Sequence, residues 1–165
     1  MGDEGRFRLV LAKEDFKFSV AHFTVFSAEE AELLHGHNYR VAVEIAGPGV
    51  GELGLLADVA ALKAEIRRLC GELDSRTLLP TESPLVEVER RGGEVEVRYC
   101  DRTYLLPAAD VVLLPLANTS MELLARLLWQ RLAPSLAGTA ADTLAVSVGE
   151  TDGQRCEFSA LLPGG

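Results

Sequence analysis

Two stretches of strict alternation constrain this chain more than anything else in it. In the first, Phe16, Phe18, Val20 and His22 share one face of an extended segment, and Lys17, Ser19 and Ala21 share the other. In the second, His35, His37, Tyr39, Val41, Val43 and Ile45 lie opposite Asn38, Arg40 and Glu44, until Gly47, Pro48 and Gly49 end the run. A period of two over such lengths is the pattern of a half-buried strand. The first strand signal reaches back to about Phe7, and the loop FTVFSAEEAELL joins the two stretches.

The chain has 3 histidines, His22, His35 and His37, and all fall in this pair of strands. His35 and His37 are two apart, so both rings point the same way. His22 ends one strand where His35 begins the next. If the strands are antiparallel neighbours, the three rings meet at one end of a hairpin. Three neutral imidazoles are a good zinc set, and a fourth position left open is the pattern of a catalytic site. A zinc ion there would polarise a carbonyl or lower the pKa of a bound hydroxyl or water. Three satisfied polar residues in a strand are the plainer reading, and spacing alone leaves both open.

The rest of the chain frames this hairpin. Asp58 is a good N-cap for a helix in which Val59, Leu62, Ile66, Leu69 and Leu73 form one apolar stripe. Residues 78–84 read as loop. Residues 85–106 read as a β-hairpin, with Arg90, Arg91, Gly92 and Gly93 at its turn. A second helix starts near Asn118, Thr119 and Ser120. Thr119 and Glu122 have capping-box spacing, and Leu123, Leu127, Leu128 and Leu132 form the buried stripe. Leu144 to Glu150 is a strand with Glu150 on its apolar face, and a short strand follows near Cys156–Ala160. Hairpins with helices on one face predict an α+β fold, a single domain over residues 1–165.

A net charge of −9 makes nucleic acid a poor partner. No apolar run reaches the ~18 residues of a membrane-spanning helix. The opening MGDEGRFRLV has no apolar core, so no secretory signal is expected and the expected compartment is the cytosol. Cys70, Cys100 and Cys156 are odd in number and irregular in spacing, which favours reduced thiols over a disulfide framework.

In order, the segments FSVAH, LHGHNYRV, DVAALK, LD, NTSMELLA and VGET resemble the 6-pyruvoyltetrahydropterin synthases and the 6-carboxytetrahydropterin synthases. The resemblance covers about Phe16 to Ala160. It implies the tunnelling fold, in which four-stranded antiparallel sheets from several subunits close into a barrel with two helices per subunit outside. Residues 85–106 then look like an inserted hairpin. It implies a homo-hexamer made of two trimers, which agrees with the need to cover the open edges of a small sheet.

The family's zinc ligands fall on His22, His35 and His37. Its pterin anchor falls on Glu150, where a carboxylate can accept two parallel hydrogen bonds from the ring edge. Glu122 falls on the glutamate of the family's PTxE segment and Ser120 on its threonine, with Thr119 beside them; these are expected at the substrate. Asp58 matches the aspartate before the first helix.

Two positions depart from the pattern. Ala31 stands where the family has its cysteine base. The family's Asp-His pair reads Asp74-Ser75, so Asp74 is kept and its histidine partner is not. Glu32, three residues before His35, is the candidate replacement base, with a pKa expected to rise in a partly dry site. The resemblance thus implies a zinc-dependent pterin synthase or lyase acting on 7,8-dihydroneopterin triphosphate or a related reduced pterin. The alternative is a pterin- or purine-binding homologue without the parent chemistry.

Overall fold

The computed structural model describes residues 5–151 and 153–164. The long first strand signal is two strands, β1 (Phe7–Leu11) and β2 (Lys17–His22), broken by a turn in which the Phe16 N–H donates to the Lys13 carbonyl. Both pair antiparallel with β3 (His35–Gly47). β1 takes its far half, from Phe7 opposite Gly47, and β2 takes its near half, from Lys17 opposite Arg40. The other edge of β3 pairs with β9 (Thr143–Thr151), and β9 with β10 (Gln154–Leu161). Strands β10, β9, β3 and β2 form the expected four-stranded antiparallel sheet.

The sheet goes further than the sequence shows. The start of the segment expected as loop, Leu78 to Pro80, instead belongs to β4 (Arg76–Pro80), which runs parallel to β2, and β8 (Val111–Leu114) runs parallel to β4. TLLP carries no alternation because Thr77 to Pro80 are buried on both faces, so period two has nothing to report. The expected hairpin is a three-stranded meander of β5 (Glu87–Arg91), β6 (Glu94–Tyr99) and β7 (Arg102–Pro107). Its second turn runs through Cys100 at φ 52°, a left-handed position with no glycine to announce it.

Helix α1 (Val59–Leu73) starts at Asp58, whose carboxylate accepts from the Ala60 N–H at 2.9 Å and the Ala61 N–H at 3.2 Å. Helix α2 (Met121–Leu132) starts one residue later than the capping-box spacing suggests. Ser120 is its N-cap, accepting from the Leu123 N–H. Leu62, Ile66, Leu69 and Leu73 of α1 and Leu124, Leu127, Leu128 and Leu132 of α2 share one core with Phe18, Val20, Tyr39, Val41, Val43, Ile45, Leu144, Val146 and Val148. Both helices therefore cover the same face of the sheet. Each such leucine contributes roughly 1.5–3 kcal/mol relative to an exposed one. The meander forms a second, smaller core around Phe23, Leu79, Val95, Val97, Tyr99 and Val111. The loop 23–34 runs between these two cores, and the histidines stand at its two ends.

Candidate functional site

Strand register assembles the histidines. His22 lies directly across from His35, and Val20 from His37, so the three rings share the face that carries the main core. Their ligand atoms lie within 4.8 Å of one another. His22 is 2% exposed, and its Nδ1–H donates to the Thr119 carbonyl at 3.0 Å. The Nδ1–H of His35 donates to the Leu33 carbonyl at 2.7 Å. A carbonyl can only accept, so both rings carry their proton on Nδ1 and present a bare Nε2. The Nε2 atoms of His35 and His37 are 2.7 Å apart.

This donor set fits zinc. Ligands of a tetrahedral zinc at ~2.0–2.1 Å lie about 3.3 Å from each other, within the spread seen here. Backbone carbonyls on the outer nitrogens fix the rings as metal-binding histidines are usually fixed. Burial, aided by the neighbouring imidazoles, holds His22 below the usual imidazole range and outweighs the opposing pull of the Thr119 carbonyl. His22 is therefore neutral at neutral pH, as a ligand must be.

A stability prediction follows from that direction. A depressed native pKa means that protons bind the unfolded chain first as pH falls through about 6.5. The stability contributed by neutral His22 is complete above that value and is lost below it. The carboxylates held low by their partners, among them Glu32, Glu65 and Glu89, act only below 4.5. Melting temperature of the metal-free protein should therefore decline between pH 7 and 5, before any acid limb from carboxylates. A flat or rising profile there would contradict the assignment.

Two carboxylates flank the cluster. Glu150, at the end of β9, has its side chain 16% exposed and Oε1 3.6 Å from His37 Nε2. Glu32 lies on the other side, with Oε2 3.9 Å from His35 Nε2. The Thr24 N–H donates to that same oxygen at 2.9 Å. Burial alone would raise the Glu32 carboxyl, but the Thr24 side chain and N–H, with the imidazoles, outweigh it, and the pKa is lowered. The expected rise is thus corrected: Glu32 is an ionised carboxylate at neutral pH.

Tyr39 belongs to this site and was not among the sequence candidates. Its ring is fully buried, and its hydroxyl stands 3.1 Å from His22 Nε2 and 3.3 Å from Glu150 Oε1. Burial and the nearby Glu150 push the phenol well above its ordinary range, so it remains a donor. One proton cannot serve both neighbours. If a cation occupies the His22 lone pair, the phenol is committed to Glu150. The signal was present: Tyr39 is two residues beyond His37 on the same face.

Among the described residues, the side chains of the other candidates make no hydrogen bond to the imidazoles. Thr119 is buried, and its hydroxyl donates to the Phe23 carbonyl at 2.9 Å. Its contribution to the cluster is its own carbonyl, on His22. Ser120 caps α2. Glu122 is exposed on the first turn of α2, close enough to Cys156 to help raise that thiol. Asp74 caps the C-terminus of α1 and accepts from the Ser19 N–H at 2.7 Å. Among the described residues no hydrogen bond links Asp74 or Glu122 to the histidines.

An α+β fold with three converging imidazoles that could hold a metal ion, and an acid at the adjoining strand end, is the arrangement of the tunnelling-fold class. The sequence model of 6-pyruvoyl tetrahydropterin synthase matches residues 11–160, and the chain belongs to that family. A protein of Methanocaldococcus jannaschii described as a candidate 6-carboxy-5,6,7,8-tetrahydropterin synthase is 34% identical over 109 residues, 66% of each chain. The crystal structure of 6-pyruvoyl tetrahydropterin synthase from Plasmodium vivax superposes with a TM-score of 0.88 at 26% identity, covering 95% of this chain and 99% of that one. Two more structures of the Plasmodium vivax enzyme, each with a TM-score of 0.85 at 25% identity and the same coverage, carry alanine or cysteine in place of a catalytic glutamate. No helix among the described residues is long and apolar enough to cross a membrane.

Proposed function

We propose that this protein is a zinc-dependent pterin synthase or lyase acting on 7,8-dihydroneopterin triphosphate or a closely related reduced pterin. The observation that carries the reading is the convergence of His22, His35 and His37 between two carboxylates of different character. The three imidazoles would hold the metal. When bound, zinc supplies Lewis acidity that eases proton loss from the substrate's side-chain hydroxyls. Glu150 accepts paired hydrogen bonds from the pterin ring N–H and amino group, and the Tyr39 phenol orients that carboxylate. Glu32 removes the side-chain proton. The outcome is phosphate elimination with rearrangement, or cleavage of a side-chain carbon–carbon bond.

Ala31 and Ser75 at the positions of the family's cysteine and histidine argue against an unmodified thiolate route. The catalytic glutamate of the Plasmodium vivax enzyme is the precedent for a catalytic carboxylate in this fold. The same two departures favour the second reading, a binder that has lost turnover. Asp74, Ser120 and Glu122 would then serve the substrate only from a neighbouring subunit, in a hexameric assembly whose shared barrel covers the open edges at β10 and β8. Incubation of the protein with zinc and 7,8-dihydroneopterin triphosphate separates the readings. Product formation supports the enzyme; tight binding with the substrate recovered intact supports the binder.

Glu150→Gln tests the anchor. An amide offers one acceptor where two donors arrive, so affinity for a reduced pterin should weaken by roughly 1.5–3 kcal/mol, the scale of a charged hydrogen bond. Calorimetric titration showing native affinity would remove Glu150 from the pterin site.

A further inference from the structure

The meander of β5, β6 and β7 has no part in the chemistry described so far, yet it is packed on the loop that carries Glu32. The ring of Phe23, the residue after His22, lies 6.3 Å from Tyr99 and 5.8 Å from Tyr104, centroid to centroid. Val25, Ala31 and Leu34 join the same apolar cluster from the loop. Two polar contacts then reach the loop backbone. The hydroxyl of Tyr99, on a buried ring, donates to the Ser27 carbonyl at 2.7 Å. The Arg102 guanidinium donates to the Glu32 carbonyl at 2.7 Å and to the Ala31 carbonyl at 3.4 Å, with its central carbon 5.7 Å from the centre of the Tyr99 ring.

The loop's own bonds do not orient it. The Glu32 N–H donates to the Thr24 carbonyl, the Thr24 N–H returns to the Glu32 carboxylate, and Val25 and Ala31 form a bridge. These contacts close the loop on itself. What sets it against the strands comes from outside: the Thr119 hydroxyl on Phe23 and the His35 ring on Leu33 at its two ends, the Asn118 side chain on Val25, and the meander on Ser27, Ala31 and Glu32. The histidines are different, because the β2–β3 register places their backbone, and the loop reaches one ring only, that of His35, through the Leu33 carbonyl.

We infer that the meander is a clamp, and that Tyr99 and Arg102 are positioning residues holding the Glu32 carboxylate beside the imidazoles. This rests on the reading of Glu32 as base. Reactions sensitive to placement lose rate steeply when a catalytic group drifts by an ångström, up to about 100-fold.

Arg102 is partly exposed, so Arg102→Ala can be made without opening a core. In the zinc-loaded, full-length protein this variant should retain stoichiometric zinc and a native KM for 7,8-dihydroneopterin triphosphate. Its kcat should fall roughly 10- to 100-fold, and amide exchange across residues 24–34 should quicken. Arg102→Lys should restore part of both, since it keeps one charged donor. Tyr99→Phe should quicken exchange at the Ser27 end of the loop. Native kcat in Arg102→Ala, while Glu32→Gln is inactive, overturns the clamp. So does lost zinc, which would mean that the whole sheet had loosened. If Glu32→Gln turns over like the native protein, the base reading fails by itself. Loop exchange then decides the clamp, a rise in Arg102→Ala supporting it and native protection overturning it.

Discussion

His35→Ala yields a folded protein that no longer retains zinc. The His35 side chain is 33% exposed, so its removal leaves no buried cavity, and β3 keeps its pairing from Gly36 onward. The loss falls on the metal. Zinc binding worth roughly 10–16 kcal/mol, shared among three or four ligands, assigns each ligand about 2.5 kcal/mol or more, which is roughly 70-fold or more in affinity. Two imidazoles cannot recover this by rearrangement. The ring of His22 is tied to the Thr119 carbonyl, and the spacing of His37 is set by the strand. Metal analysis after dialysis should find about one zinc per native chain and close to none in the variant, with little change in melting temperature when both are metal-free. Stoichiometric zinc in His35→Ala would place the metal elsewhere.

Glu32→Gln abolishes turnover and spares both zinc and pterin binding. Removing a positioned general base typically costs 10²–10⁴-fold in rate. The glutamine keeps the acceptor that Thr24 uses, so the loop stays in place. The pH profile carries a second signature. The lowered pKa keeps Glu32 ionised well into the acid range, so Glu32 does not set the acid limb of native activity. That limb belongs to competition between protons and metal at the imidazoles. Excess zinc should move it to lower pH, whereas a limb fixed by a carboxylate would not respond. A variant with native kcat would exclude Glu32 as base.

Much of the site was legible because strand geometry is simple. A period of two places His35, His37 and Tyr39 on one face, and the antiparallel register brings His22 to them. Glu150 follows from the same rule, two residues past Val148. What could not be read depended on partners distant in sequence. β4 and β8 show no alternation, and pair only because α1 and the meander return the chain to the edge of β2. The role of Thr119 was hidden because its backbone carbonyl makes the contact, and a carbonyl has no residue signature. The acidity of Glu32 turned on hydrogen bonding to Thr24 and on the imidazoles, which loop sequence cannot announce. Asp74 and Glu122 carry the family pattern yet stand away from the histidines, as residues do when their work lies across an interface or in capping a helix.

The most direct test is a crystal grown with zinc and a reduced pterin, with diffraction collected on both sides of the zinc absorption edge. A single anomalous peak ~2.0–2.1 Å from nitrogens of His22, His35 and His37 is expected, with the pterin's amino edge on the Glu150 carboxylate and its side chain toward the metal. An anomalous map empty between those rings, or a pterin bound away from Glu150, would contradict the account.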